Sequence, residues 1–306
     1  MEKFEVHILG CGSAKPTFKH MPSCQVLNVH EQLFMIDCGE GSQLQFCRQR
    51  LSFSRLNHIF ISHLHGDHCF GLPGLISTLS LLGRTAPLHV YGPKPLEGLL
   101  RPLLDFHCAG GTFEVVIHEV DAKGSLVVLD NKLLTVKTIP LDHRIPCCGW
   151  LFEEKAALPH INREITDFYG IPHYELSRIK EGADWVTADG DVIANSRLVR
   201  PAAPPRRYAY LSDTAYVPAN ALLVSGVDLL YHETTFTADC AEKAQQPRHS
   251  TTRQAAEFAL KAGVGRLLIG HYSSSCEDEA LMCRQCKEIF PDTMYANEGM
   301  CVKVGQ

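Results

Sequence analysis

The sequence has no long hydrophobic run and no excess of positive charge. None of its apolar segments reaches the roughly 18 residues that a membrane-spanning helix requires, so no membrane span is expected. The formal net charge at pH 7 is -5, and any binding of nucleic acid must therefore depend on a local patch instead of bulk charge. Repeats and low-complexity segments are also missing. The 306 residues, 45% of them hydrophobic, predict a soluble globular protein with a large core.

The sequence also shows no signal for secretion. Its first residues, Met-Glu-Lys-Phe, lack the basic start and apolar stretch of a signal peptide, yet the chain contains 13 cysteines. Many cysteines without a signal peptide are typical of proteins in a reducing compartment, and we expect a cytoplasmic protein. Cys283 and Cys286 form a C-x-x-C motif and Cys147 and Cys148 are adjacent. Because neither pair has the second pair of a structural zinc site, ordinary thiols are expected.

The feature that the sequence does contain is a dense group of potential metal ligands. An apolar segment, Ile-Phe-Ile-Ser, is typical of a buried strand and is followed at once by His63, His65, Asp67 and His68. In extended backbone His63 and His65 face the same side, and the glycine before Asp67 permits a turn that redirects the later pair. This pattern favours two adjacent ions over a polar loop with capping histidines. Imidazole and carboxylate ligands favour zinc, with manganese or iron possible.

Other segments predicted as strands also end in residues that bind metals or transfer protons. Because several strands that end in His and Asp at one edge of a sheet build a single site, we expect these residues to meet. Asp37 is expected either to orient a metal-bound histidine or to form a turn. His232 should face away from its neighbour and be structural. The segments concerned end at Leu141-Asp142-His143, Ser212-Asp213, His232-Glu233 and Gly270-His271.

The composition changes between about residues 153 and 203. The stretch from Glu153 to Arg200 contains nine acidic and six basic residues, and prolines cluster at its end. This predicts an insertion or arm carried by the core, not a separate domain with its own centre. Its charge does not predict general binding of polyanions.

These motifs resemble the metallo-β-lactamase superfamily and, within it, the ribonuclease Z family of tRNA 3'-end processing endonucleases. The resemblance covers nearly the whole chain, and the His-Glu-x-x-Phe and His-Ser-Thr motifs narrow it to this family. It is carried by Gly10-Cys-Gly-Ser-Ala-Lys-Pro16, His63-Leu-His-Gly-Asp-His68, Phe70-Gly-Leu-Pro-Gly74, Leu141-Asp-His143, Ser212-Asp-Thr214, His232-Glu-Thr-Thr-Phe236, His249-Ser-Thr251 and Gly270-His271.

The resemblance implies an α/β fold, the metallo-β-lactamase αββα sandwich of two mixed β-sheets flanked by helices. It implies one domain over residues 1–306, with a tRNA-binding arm inserted at about 153–203, and a homodimer. It also implies two zinc ions per subunit. One would be held by His63, His65 and His143 and the other by Asp67, His68 and His271, with Asp213 bridging both.

The activity implied by the resemblance is removal of 3' trailers from tRNA precursors. Two divalent ions about 3.5 to 4 Å apart lower the pKa of a bridging water and hold a phosphodiester for in-line attack. Asp67 is the expected general base, unless it serves as a ligand alone. His249 paired with Glu233 resembles the family's acid, which would leave a 3'-hydroxyl on the tRNA and a 5'-phosphate on the trailer.

Substrate contacts are expected at two places. Lys15, in the first loop, could contact the RNA backbone, and Ser250 or Thr251 could present the start of a helix to a phosphate. The alternatives are a solvated lysine and an ordinary helix cap.

The sequence departs from the family pattern at Ser275 and Cys276, which stand where Arg and Tyr are expected. A lost guanidinium removes a contact worth about 1 to 3 kcal/mol if it faced the RNA. The arm also reads Gly170-Ile-Pro-His-Tyr174 where many relatives have a glycine-proline knob. Because of these changes, a metal-dependent phosphodiesterase or sulfatase acting on small esters is an alternative function. An RNA-binding protein with a vestigial site and an iron redox enzyme are further alternatives.

Overall fold

The computed structural model describes residues 2–108, 110–276 and 278–305. The chain forms two compact units, a core of Met1–Glu153 with Arg206–Gln306 and an insert of Glu154–Pro205. The strands are β1 Phe4–Gly10, β2 Cys24–Val29, β3 Gln32–Ile36, β4 Leu56–Phe60, β5 Leu88–Pro93, β6 Val115–Val120, β7 Val127–Asp130, β8 Leu134–Pro140, β9 Cys148–Glu154, β10 His160–Ile161, β11 Trp185–Val186, β12 Val192–Ile193, β13 Val199–Arg200, β14 Arg207–Leu211, β15 Leu229–Glu233, β16 Leu267–Gly270, β17 Thr293–Tyr295 and β18 Cys301–Lys303.

Helices lie in both the core and the insert. They are α1 Ser42–Arg48, α2 Gly66–Cys69, α3 Leu72–Leu81, α4 Leu96–His107, α5 Arg163–Phe168, α6 Leu176–Lys180, α7 Asn195–Leu198, α8 Ala241–Gln245, α9 Thr252–Ala262 and α10 Glu279–Lys287. Helices α1, α3 and α4 bury apolar side chains against the first sheet, and α9 and α10 contact strands of the second.

The core contains two mixed β-sheets. The first has the order β18-β1-β2-β3-β4-β5-β6 and the second β17-β16-β15-β14-β9-β8-β7. Their inner faces meet through aromatic rings, since Phe60 of β4 lies 5.2 Å from Trp150 and 5.3 Å from Phe152 of β9 between ring centroids. These contacts bury the inner faces of the two sheets, and the helices cover apolar residues on the outer face of the first sheet. The predicted α/β sandwich is therefore confirmed.

Parallel pairing brings the functional segments to one edge. Strands β3 to β6 are parallel to one another, and β14 to β17 are parallel in the second sheet. Parallel strands end on the same side, so the loops after β4, β14 and β16 converge.

Some boundaries differ from the sequence expectation. The strand before the first histidines ends at Phe60 and not at Ser62, and Asp67 and His68 lie in the short helix α2. Strand β15 continues through Glu233 because its ladder with β16 extends to the pair Glu233 and Gly270.

The insert contains three short helices, α5 to α7, and two small two-stranded sheets. It buries a cluster of its own, formed by Ile171, Ile179, Ile193 and Leu198. The expectation that this segment has no centre of its own is therefore wrong. Apolar residues spaced widely along its sequence meet only after its helices and strands have folded.

None of the helices in the described residues is long and apolar enough to cross a lipid bilayer.

Candidate metal centre

The first group of ligands combines three histidines. His65 Nδ1 lies 3.0 Å from His63 Nε2 and 3.3 Å from His143 Nε2. The other ring nitrogen of His63 donates to Ser62 Oγ at 3.0 Å, and that of His143 donates to the Arg248 carbonyl at 3.2 Å. The converging Nε2 atoms of His63 and His143 therefore carry lone pairs, which only a cation or one shared proton can satisfy.

A second group lies beside the first. His68 Nε2 is 3.4 Å and His271 Nε2 is 3.6 Å from Asp67 Oδ2. The Nε2 atoms of His68 and His271 are fully buried and have no hydrogen-bond partner. Because a buried nitrogen without a partner is costly, these two atoms fit a site built to ligate a metal ion.

Asp213 connects the two groups through different oxygens. Its Oδ2 lies 3.6 Å from His63 Nε2 and 3.9 Å from His143 Nε2. Its Oδ1 lies 3.4 Å from His68 Nε2 and 3.1 Å from His271 Nε2. A carboxylate in this position can ligate a cation on either side.

Asp37 fixes the orientation of one ligand. It accepts hydrogen bonds from His68 Nδ1 at 2.7 Å, Tyr210 Oη at 2.7 Å, Ser62 N at 2.7 Å and Ser62 Oγ at 3.0 Å. The proton on His68 Nδ1 leaves Nε2 free to face the centre. Asp37 also has a positive φ of 55° after β3, so it forms the turn as well.

Thr235 has a comparable role that sequence reasoning missed. His271 Nδ1 donates to Thr235 Oγ1 at 2.9 Å, and this hydroxyl donates to Glu233 Oε2 at 2.7 Å. A threonine two residues after a glutamate was visible in the motif, but its contact with His271 depends on the neighbouring strand.

Glu233 is buried and also organises His249. Its Oε1 accepts from His249 Nδ1 at 2.9 Å and from Ser250 N at 2.9 Å. Burial opposes the charged imidazolium, but the Glu233 carboxylate outweighs it and raises the pKa of His249 to about 9. His249 Nε2 faces the centre, 4.0 Å from Asp213 Oδ2. His232 instead packs its ring against Phe258.

The charges of the centre favour a bound cation. Burial lowers the pKa of His143 to about 4 and keeps that ring in its neutral, ligating form. Against the effect of burial, Asp213 and Asp37 raise the pKa of His68 well above its usual value. The same carboxylates that favour a proton there favour a metal ion in its place.

The residues expected to bind substrate fall into two groups. Lys15 is exposed, and in the same loop Ala14 N donates to Asp67 Oδ2 at 2.7 Å. Ser250 and Thr251 are buried. The Ser250 hydroxyl donates to the Thr214 carbonyl, and Thr251 forms a capping box with Gln254 at the start of α9. Thr251 is therefore an ordinary helix cap, and the hydroxyl of Ser250 is used in a contact within the protein.

The segment with the departure from the family pattern lies directly after His271. Ser275 is exposed and bonds Ser273, whereas Cys276 Sγ contacts Met282 Sδ at 3.3 Å. Small cavities of about 250 Å³ and 370 Å³ lie on either side of this segment.

We expect Asp37→Asn to weaken metal binding by about 10- to 100-fold, because one of the two carboxylate oxygens that accept from His68, Tyr210 and Ser62 becomes an NH2 donor. Competition with a chromogenic chelator measures the affinity, and a thermal melt checks folding. Asp105→Asn, an exposed change on α4, is the control. Equal affinities in the two variants would contradict the role of Asp37.

Known proteins resemble the chain in sequence and in fold. It is 56% identical over 304 residues to ribonuclease Z of Bacteroides fragilis, covering 99% of this chain and 100% of that protein. It is 51% identical over 300 residues to ribonuclease Z of Porphyromonas gingivalis, covering 98% and 99% of the two chains. A family model described as Anti-Pycsar protein Apyc1 matches residues 4–107.

Solved structures extend the likeness to the whole fold. Human tRNase Z, short form, superposes with a TM-score of 0.71 at 25% identity, covering 99% of this chain and 100% of that chain. The metallo-beta-lactamase fold protein YhfI from Bacillus subtilis superposes with a TM-score of 0.70 over the same shares, and its 16% identity supports the fold alone.

The two-sheet fold, with His and Asp ligands gathered at one edge, defines a metal-dependent hydrolase of the metallo-β-lactamase fold. The sequence identity of 56% and 51% to these two ribonuclease Z proteins, along almost the entire chain, narrows the class to one family. The chain belongs to the ribonuclease Z family.

Proposed function

We propose that this protein is an endoribonuclease that removes 3' trailers from tRNA precursors. The observation that carries the proposal is Asp213, whose two oxygens face two separate groups of ligands beside the His249–Glu233 pair. Such a centre suits in-line hydrolysis of a phosphodiester. Membership in the ribonuclease Z family supports tRNA as the substrate.

The cofactor that we propose is a pair of zinc ions. His63, His65 and His143 would hold one and Asp67, His68 and His271 the other, with Asp213 between them. Nitrogen and oxygen ligands in these numbers suit zinc, and manganese or iron fit the same donors. When bound, the ions lower the pKa of a water molecule and offset the charge of the phosphodiester.

The protein's own groups complete the reaction. The Ala14 amide holds Asp67 Oδ2, so Asp67 is positioned to accept the proton of the attacking water or to act as a ligand alone. His249 Nε2 points into the centre while Nδ1 donates to Glu233. Protonated His249 can therefore give its Nε2 proton to the departing 3' oxygen of the tRNA.

A cleft beside the centre supports a polynucleotide substrate. A cavity of about 850 Å³ extends from His143 and is lined by Lys94, Lys123 and Arg144 as well as by acidic residues. The three cations offer contacts for phosphates on either side of the bond that is cut. Lys15 and the insert are proposed as further RNA contacts.

The test of the proposed function is cleavage of a 3'-extended tRNA precursor by the zinc-loaded protein, with both ends of the products mapped. We expect one cut beside the discriminator nucleotide or after CCA, a 3'-hydroxyl on the tRNA and a 5'-phosphate on the trailer. The unstructured trailer alone is the matched control substrate and should be cut poorly. An intact precursor together with hydrolysis of bis(p-nitrophenyl) phosphate would favour a small-ester hydrolase instead.

We also propose a homodimer, because neighbouring helices of the first sheet expose large apolar side chains. Leu44 lies on α1, Leu81 and Leu82 lie at the end of α3, and Leu103 and Phe106 lie on α4. Helix α3 contacts both α1 and α4. An apolar surface shared by adjacent helices is typical of a protein interface.

Leu81→Glu should convert this dimer to a monomer, because a carboxylate would lose its hydration in the interface. Sedimentation velocity measures the mass. Leu260→Glu, a change at an exposed leucine on α9, is the control and should remain dimeric. A monomeric wild-type protein, or a dimeric Leu81→Glu variant, would refute the proposed interface.

The cellular location that we propose is the cytoplasm. All the cysteines are free thiols, which fits a reducing compartment.

A further inference from the structure

A second group of potential metal ligands lies at the end of β1, outside the centre described above. Cys11 Sγ is 3.3 Å from His20 Nδ1, and His20 Nδ1 is 3.0 Å from Glu298 Oε2. One atom from each residue lies within 4.8 Å of the other two. We call these three residues the loop site, because Cys11 and His20 enclose the first loop.

We propose that the loop site binds a zinc ion of its own, separate from the catalytic centre. Zinc bonds of about 2.0 to 2.1 Å to nitrogen or oxygen and about 2.3 Å to sulfur place tetrahedral ligand atoms roughly 3.3 to 3.6 Å apart. The distances from His20 Nδ1 to Cys11 Sγ and to Glu298 Oε2, 3.3 and 3.0 Å, differ from this by a few tenths of an ångström. Small side-chain shifts would therefore complete the coordination.

Neighbouring groups orient the ligands as in other zinc sites. His20 Nε2 donates to Glu279 Oε1 at 3.0 Å. A metal ion bound at Nδ1 would replace the hydrogen bond of 3.0 Å between that nitrogen and Glu298 Oε2, and any proton on Nδ1 would leave with it. Met21 N donates to Glu298 Oε1 at 2.9 Å, so Oε2 is the oxygen that faces His20. Hydrogen bonds thus hold the Glu279 carboxylate, the His20 ring and the Glu298 carboxylate in fixed orientations.

Burial favours a closed structural site. The Cys11 side chain is fully buried, and His20 is 6% exposed. Burial raises the pKa of the Cys11 thiol well above its usual value, so without a cation the sulfur keeps its proton. Binding of zinc would release that proton to solvent and form a Zn–S bond. The Ala296 carbonyl, 3.5 Å from Cys11 Sγ, or a water is available as a fourth ligand.

Zinc at the loop site would stabilise the loop that contacts the catalytic centre. Cys11 and His20 lie on either side of Ala14, whose amide donates to Asp67 Oδ2. A metal bond at both ends restricts the loop more than hydrogen bonds alone. The site would therefore act on the structure of the loop and not on the reacting atoms.

Another cysteine provides a matched control. Cys301 Sγ lies 3.1 Å from Glu5 Oε2 and 3.9 Å from His7 Nε2, so these residues also form a possible ligand group. Cys301 is exposed, unlike Cys11. Both groups contain sulfur, whereas the proposed catalytic ligands are only nitrogen and oxygen.

Cobalt(II) substitution distinguishes the sites, because a thiolate ligand gives cobalt an intense near-ultraviolet charge-transfer band. We expect this band in the wild-type protein and in Cys301→Ser, and its loss in Cys11→Ser. Zinc content should fall by one ion per chain in Cys11→Ser and not in Cys301→Ser. A band that disappears in Cys301→Ser instead would overturn the assignment.

The wild-type protein and Cys301→Ser together decide the question even if Cys11→Ser fails to fold. Cobalt-loaded wild-type protein without a thiolate band, or zinc content that never exceeds the catalytic ions, would overturn the proposal. Neither readout depends on RNA cleavage, so this result is independent of the proposed function.

Discussion

Asp213→Ala should abolish RNA cleavage and release most of the bound metal. Its two oxygens face the two groups of candidate metal ligands, and the alanine removes one ligand oxygen from each group. Metal ions stabilise the transition state of such reactions by several kcal/mol, so the cleavage rate should fall by at least about 10³-fold. Metal content by mass spectrometry and cleavage of a tRNA precursor measure the two effects.

The control for this variant is Asp105→Ala, which removes an exposed carboxylate on α4. It should keep both metal and activity. Full cleavage by a metal-free Asp213→Ala protein would refute the metal-dependent mechanism altogether. Retention of metal with lost cleavage would mean that Asp213 acts in catalysis more than in binding.

His249→Ala should slow RNA cleavage by about 10²- to 10⁴-fold while metal binding is retained. The 3' oxygen of a nucleotide needs a proton as it departs, and His249, held by Glu233, is placed to give it. A nitrophenolate leaves without a proton. Hydrolysis of bis(p-nitrophenyl) phosphate by the same variant should therefore fall by less than about 10-fold.

The comparison of the two substrates, which differ in their leaving groups, distinguishes a catalytic role of His249 from a structural one. An equal loss on both substrates would show that His249 supports the centre and is not the acid. His107→Ala, which changes an exposed histidine at the end of α4, serves as the control and should behave as wild type on both substrates.

The arrangement of the first ligands follows largely from the sequence. His63, His65, Asp67 and His68 are close in sequence, and short segments leave the backbone few ways to separate them. The sequence also predicted that strands end close to His and Asp residues, although β4 ends at Phe60 and not at Ser62. The fold class was implied by the family resemblance, and both the fold and the family were confirmed.

The sequence was less informative about the insert and about boundaries. The change in composition near residue 153 agrees with the start of the separate unit at Glu154. The small core of the insert was missed because Ile171, Ile179, Ile193 and Leu198 show no continuous periodic pattern.

Only the tertiary structure decided how distant residues meet. The two oxygens of Asp213, the support of His271 by Thr235 and the contact of Asp37 with His68 all depend on strands that pair across long stretches of chain. The loop site is the extreme case, since His20 and Glu298 are 278 positions apart. A sequence determines which side chains are available and where the backbone turns, but sheet pairing and burial determine which atoms share a site.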